Sequence, residues 1–139
     1  MHLEKPSWTC VTQAPEILGE SAVWSVAENA LYWVAIRGMA LLRLDAATGR
    51  IDRHPFDELL GGVVLEQGGT VLLALRDAIH RFDPRSGRRR RLLTLENGLA
   101  ENRLNEFKCD PQSRLWCGSM WDYGEQVRGS LYVVEADGR

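Results

Sequence analysis

AVWSVAENALYWVAI, residues 22 to 36, is an apolar run, the polar turn Glu28-Asn29, and a second apolar run rich in Leu, Tyr, Trp and Val. That is the pattern of two strands joined by a hairpin. It recurs in GVVLEQGGTVLLAL (62 to 75) and in EFKCDPQSRLWCGSM (106 to 120). The second runs begin at Leu31, Val71 and Leu115, which are 40 and 44 residues apart. A further echo keeps the same period: LLRLDAATGR (41 to 50) returns as IHRFDPRSGR (79 to 88), with a shortened copy in LYVVEADGR (131 to 139). The runs are short and bounded by turn signals such as Gly68-Gly69, Asp110-Pro111 and Thr48-Gly49, and no 3.6-residue periodicity is sustained. Residues 57 to 60 could make at most one helical turn, and Gly61-Gly62, like Gly68-Gly69, is expected in a hairpin. The fold class is therefore all-β. Repeats of about 40 residues carrying four short strands predict the blades of a β-propeller, with about three blades in this chain.

The 139 residues predict a single domain spanning 1–139, with 17 basic residues nearly balancing 19 acidic ones. A net charge of -2 gives no field that would attract nucleic acid or an anionic membrane surface, so the expected partner is a small molecule. The opening MHLEKPSW lacks a signal-peptide pattern, and the longest apolar stretch, 30 to 36, is far short of the ~20 residues that span a bilayer. A cytoplasmic protein is expected. Cys10, Cys109 and Cys117 form no C-x-x-C pair and are read as reduced, buried small apolar residues. The five tryptophans and three tyrosines are read as core. His2, His54 and His80 lie in no zinc-binding spacing, and the run RSGRRRR (85 to 91) reads as a solvated turn and outer strand.

Propellers close with roughly four to eight blades, so three repeats cannot close a ring alone. The final EADGR reads as a turn with no strand after it, which would leave an unpaired edge. Within a blade the innermost strand lines the channel. Glu20 begins such a strand in LGESAVW (18 to 24), and simple alternation would put Glu20, Ala22 and Trp24 on one face. A carboxylate drawn toward a partly desolvated channel is paired, protonated or metal-bound; otherwise it is a solvated rim residue. In ENRLNEF (101 to 107), Arg103 and Asn105 share a face, with Leu104 opposite. An arginine fork beside an amide suits a polyhydroxylated ligand; the same two residues also suit a charged strand end and a turn.

LGESAVW, ALYWVAI, LLRLDAATG and, above all, NRLNEFKCDPQSRLWCGSM followed by GSLYVVEADG resemble in order and spacing the SMP-30/gluconolactonase (regucalcin-like) family. The resemblance runs from about residue 13 to 139. It implies the N-terminal half of a six-bladed propeller whose members hydrolyse sugar lactones with one divalent cation (Ca²⁺, Zn²⁺ or Mn²⁺) on the axis. By position Glu20 matches the family's first metal ligand, and Arg103 and Asn105 match its substrate-binding residues. The family's remaining ligands, an asparagine and an aspartate that also serves as general base, belong to later blades. The resemblance thus implies low-affinity metal binding, or none, by the chain alone, completed by a complementary C-terminal half or a homodimer. The alternatives are a non-catalytic truncated propeller acting as an interaction module, or calcium binding without turnover. Three positions depart from the family pattern: Ala35 stands where an aspartate is usual, Asn105-Glu106-Phe107 where Asn-Asp-Gly is usual, and Trp121-Asp122-Tyr123 near a substrate-binding glutamate. Phe107 implies a different course for the segment carrying Arg103.

Overall fold

The computed structural model describes residues 7–12, 15, 18–123 and 128–135. Its strands are β1 (Gly19–Ser25), β2 (Ala30–Ala35), β3 (Ala40–Asp45), β4 (Ile51–Pro55), β5 (Leu60–Leu65), β6 (Val71–Leu75), β7 (Ala78–Asp83), β8 (Arg88–Thr94), β9 (Asn102–Cys109), β10 (Leu115–Trp121) and β11 (Leu131–Val134). They form three antiparallel meanders, β1-β2-β3-β4, β5-β6-β7-β8 and β9-β10-β11, which are the blades. Residues 57 to 60 make a bend into β5 rather than a helical turn, and no helix among the described residues is long and apolar enough to cross a membrane. Of the closing EADGR, residues 136–139 lie outside the described residues.

The sequence echo corresponds to one piece of chemistry built twice. In the first blade Asp45 accepts the Ala47 and Thr48 amides at 3.1 and 2.9 Å, and in the second Asp83 accepts the Arg85 amide at 3.0 Å and the Ser86 hydroxyl at 2.6 Å. Each turn closes on a glycine at φ 72 or 71, Gly49 and Gly87, where a left-handed conformation is needed. From the third strand of each blade an arginine reaches back to the first hairpin: Arg43 Nε to Glu28 at 3.1 Å, and Arg81 to Glu66 at 2.7 and 2.6 Å.

Between the first two blades lies a core of Tyr32, Val34, Ile36, Leu41, Leu60, Val63, Leu73 and Leu75. Between the second and third lie Ala74, Ile79, Leu104, Phe107, Leu115 and Cys117. The innermost strands β1, β5 and β9 lie in sequence, β1 on β5 and β5 on β9. Each carries a β-bulge: between Glu20 and Val23 in β1, at Gly61 in β5, and between Leu104 and Phe107 in β9. A bulge bends its strand and strengthens its twist. Ser21, at φ 56, is the bulged residue of β1, and its hydroxyl accepts from the Val63 amide at 3.0 Å, stitching β1 to β5.

Several sequence expectations are corrected by these strands. Gly61 and Gly62 lie buried inside β5, not in a hairpin. A Cβ on Gly61 would fall 2.1 Å from the Leu104 carbonyl oxygen, and one on Gly62 would fall 2.7 Å from the Phe107 Cβ. The glycines serve backbone approach. Phe107 stays in the strand, fully buried, because Gly62 leaves it room.

The β1 bulge also resets the alternation: Glu20 pairs Val34 and Val23 pairs Tyr32, so those two share a face, whereas Trp24 pairs Leu31 on the other. Trp24 is consequently 47% exposed, and Trp8 is 87% exposed; Trp33 is the buried tryptophan among the described residues. Tyr32 is buried as expected but Tyr123 is exposed. All three thiols are free; only Cys117 is buried, since Cys109 sits at a strand end and Cys10 precedes the first strand. The arginine run lies on the exposed outer strand β8, as expected, with Arg89 held by Asp57 and Glu58 and Arg91 by Asp77.

Two outcomes test this packing. Gly61→Ala forces β5 and β9 apart and should cost at least the ~1–3 kcal/mol of ordinary overpacking in urea unfolding, whereas Gly118→Ala, whose Cβ would meet nothing within 4 Å, should leave the midpoint unchanged or raised. His80 is buried with both ring nitrogens unpartnered among the described residues, and burial, then Arg89 and Arg91, lower its pKa below 6.5. The unfolded chain therefore takes up the proton first. Stability should be full above pH 6.5 and fall below it, by at most about 1.4 kcal/mol per pH unit for one group. His54 adds to the same slope, because burial also lowers its pKa, and His80→Leu should flatten the profile measured by urea midpoints.

Candidate functional site

The starts of the inner strands and the ends of the second strands meet at one end of the blades, because the strands run antiparallel: Gly19 pairs Ala35, Leu60 pairs Leu75, and Asn102 pairs Trp121. Every residue singled out for chemistry sits at this end. Glu20 is half-buried at the start of β1, beside a cavity of about 450 Å³ lined by Thr12, Gly19, Ser21, Ala22 and Trp33. Among the described residues its carboxylate has no hydrogen-bond or ion-pair partner. It is an open oxygen donor.

Arg103, 4% exposed, is brought directly onto Asn105: its Nη1 donates to Asn105 Oδ1 at 2.8 Å and to the Leu104 carbonyl at 3.2 Å. The expected common face is thus a contact. Its Nε donates at 2.7 Å to Asp122 Oδ1, on a side chain only 2% exposed. Nη2 has no acceptor among the described residues. No hydrogen bond or ion pair among the described residues joins Glu20 to Arg103 or Asn105.

Asp122 and Arg37 were not identified from the sequence. Arg37, just past β2 in the first blade, grips both oxygens of Asp122 at 2.8 and 2.9 Å, and its guanidinium lies 5.6 Å from the Tyr123 ring centre. One carboxylate is therefore shared by two guanidiniums from the first and third blades. Desolvation opposes its ionisation, but the bonds from Arg103 and Arg37 outweigh it and hold the Asp122 carboxyl below the usual carboxylate range. The available signal was positional: Arg37, Arg76 and Asp122 all lie just beyond the second strand of their blades. Beneath Arg103, Asn102 donates to Glu96 at 3.3 Å and to the Arg128 carbonyl at 2.8 Å, fixing the start of β9.

A Ca²⁺ site takes about six to eight oxygen ligands. The described residues contain no group of three acidic, histidine or cysteine side chains able to hold a metal ion, so Glu20 does not make such a site alone.

The family model described as "SMP-30/Gluconolactonase/LRE-like region" matches residues 18–139. This chain belongs to that family. Among the family's members, a 6-deoxy-6-sulfogluconolactonase from Pseudomonas putida is 35% identical over 94% of this chain and 45% of its own length. Regucalcin from Gallus gallus is 30% identical over 92% of this chain and 44% of its own. The crystal structure of a calcium-binding protein, regucalcin, from Agrobacterium tumefaciens str. C58 superposes with a TM-score of 0.87 at 28% identity, covering 93% of this chain and 43% of that one. The chain spans less than half the length of these relatives. Its three blades are part of the family's six-bladed propeller.

Removing Asp122 should be costly, because it strands the buried Arg103 guanidinium. Asp122→Ala is expected to lose about 3–5 kcal/mol in urea unfolding, and Arg37→Ala, whose side chain is 36% exposed, far less. The Asp122 contribution should be present above the ordinary carboxylate pKa of 3.8 and be lost as pH falls through its lower folded value.

Proposed function

We propose that this chain supplies the substrate-orienting side of a sugar-lactone hydrolase site, completed by further blades from a complementary half or a second copy. The observation that carries the reading is Arg103, buried, locked by Asp122 and in contact with Asn105 at the channel end. The lactonase relative from Pseudomonas putida supports it. Lactone hydrolysis adds water to the carbonyl carbon, breaks the ring C–O bond, and requires a base to take the water's proton and an acid to protonate the leaving oxygen. Arg103 and Asn105 do neither. They present N–H donors and an amide to the hydroxyl and ring oxygens, fixing the carbonyl's position against the attacking water.

The proposed cofactor is one divalent cation, a reading supported by the regucalcin relatives, with Glu20 contributing one oxygen and water or the other blades the rest. When bound, such an ion polarises the lactone carbonyl. The general base is assigned to the completing blades.

A second reading, an interaction module without turnover, is favoured by the open face of the third blade, where Leu131 is 71% and Val133 42% exposed. A completed ring covers the same surface.

Calorimetric titration of the metal-stripped chain with Ca²⁺, Zn²⁺ and Mn²⁺ tests the assignment. Weak saturable binding that is lost in Glu20→Gln is expected, and binding unchanged by that substitution removes Glu20 from the cation. In a ring completed by three further blades, Arg103→Ala should lower kcat/KM for a sugar lactone by roughly a hundredfold; an unchanged kcat/KM would refute the orienting role.

A further inference from the structure

A cavity of about 670 Å³ lies between the first and second blades, at the end away from Arg103. The strand ends that pair there are Ser25 with Ala30, Leu65 with Val71, and Asp83 with Arg88. Its charged lining is four guanidiniums, Arg43, Arg50, Arg53 and Arg85, against two carboxylates, Glu28 and Asp52. His54 also lines it, and burial lowers its pKa from the ordinary 6.5, so it adds no charge at neutral pH. The lining therefore carries two positive charges in excess. Asp45 and Asp83 stand just outside it. Asp45 Oδ1 accepts the Ala47 and Thr48 amides and the Thr48 hydroxyl, with Oδ2 3.9 Å from Arg43 Nη1, and Asp83 accepts the Arg85 amide and the Ser86 hydroxyl. They offset the excess from a distance without filling the cavity.

Arg85 is the arginine without a structural task. In the echo of LLRLDAATGR by IHRFDPRSGR its counterpart is Ala47, whose amide makes the same bond to Asp45 that the Arg85 amide makes to Asp83. The turn thus uses the backbone at this position and needs no guanidinium. The Arg85 side chain makes no hydrogen bond or ion pair among the described residues, and Asp83 acts on it only through its field. Gly69 leaves it room to approach the first blade: a Cβ there would lie 3.1 Å from Arg85 Nη2 and 3.2 Å from Glu28 Oε1. The other lining charges are already engaged. Glu28 Oε2 accepts the Tyr32 hydroxyl at 2.7 Å and Arg43 Nε at 3.1 Å, and Asp52 accepts from Arg50 at 3.1 Å with Arg43 Nη1 3.6 Å away. Arg53 donates to the Gly38 carbonyl at 2.9 Å.

We propose that this cavity binds a phosphate dianion, either inorganic phosphate or the phosphate of a phosphomonoester, with Arg85 as its principal donor and Arg50 and Arg53 opposite in the first blade. A tetrahedral dianion matches the excess charge of the lining and takes paired N–H bonds from a guanidinium fork. Because Arg85 belongs to the second blade and the other two to the first, the bound anion ties the blades together and stabilises the folded chain as the site fills. The site does not rest on the lactone reading.

The test is a two-dimensional NMR titration of the 139-residue chain, at constant ionic strength, with inorganic phosphate, glycerol 3-phosphate and chloride. Phosphate should bind saturably and chloride should not, with shifts gathered at Gly69 and Arg85 of the second blade and at Glu28 and Asp52 of the first. Arg85→Ala gives this turn the residue that Ala47 supplies in the first blade, so the chain should stay folded while binding weakens about tenfold or more. Arg88→Ala, which removes an exposed arginine outside the lining, should leave binding unchanged. Glycerol 3-phosphate binding at the same residues extends the site to phosphomonoesters, and its exclusion restricts the site to free phosphate. Phosphate shifts that merely follow those of chloride overturn the proposal, as does binding undiminished in a folded Arg85→Ala chain. Shifts confined to the Arg103 end also overturn it. Equal weakening by Arg88→Ala would assign the attraction to the arginine-rich strand at large and remove the site.

Discussion

Everything at the functional end depends on how closely β5 approaches β9. The Leu104 carbonyl occupies space that a Cβ on Gly61 would need, and the Phe107 Cβ lies only 2.7 Å from where a Cβ on Gly62 would be. A pair of glycines is therefore the condition for two inner strands to lie side by side. From that contact follow the burial of Leu104 and Phe107, the bond from the Leu104 amide to the Arg76 carbonyl, and the position of Arg103, one residue earlier. On the other side of β5, Ser21 fills the same structural need with a hydroxyl directed at the Val63 backbone.

The electrostatics rest on that packing. A buried guanidinium is tolerable only with a partner, and Asp122 is that partner for Arg103 while also binding Arg37. Because the two arginines come from the first and third blades, the carboxylate acts as a clasp across the second blade as well as a lock on a side chain. Glu20 contrasts with it: half-buried, beside a cavity and unpaired among the described residues, it is not spent on structure.

How much of this could be read from the sequence varied with the distance over which the interaction acts. The repeat was legible because Asp45 and Asp83 cap their own turns and Arg43 and Arg81 reach carboxylates only 15 residues away, so the chemistry repeats along the chain. Glu20 was legible as an acid in an apolar strand, and Arg103 with Asn105 through their two-residue spacing. The bulges were not: an extra residue leaves no mark in composition, yet it moves Trp24 to the opposite face from Glu20. Gly61-Gly62 was misread because a glycine pair signals both a turn and a close approach, and only the neighbouring strand distinguishes them. Arg37 and Asp122 pair across 85 residues, which no local pattern encodes.

The glycine contact between β5 and β9 delivers the Arg103 guanidinium to Asp122. The most direct measurement is the Arg103 Nε–Hε cross peak in a nitrogen-15 spectrum, compared between the wild type and Gly62→Ala. A resolved, slowly exchanging peak is expected in the wild type, lost or exposed to fast exchange in Gly62→Ala, while amides of β3 and β4 keep their shifts. A peak equally protected in a folded Gly62→Ala chain would contradict it.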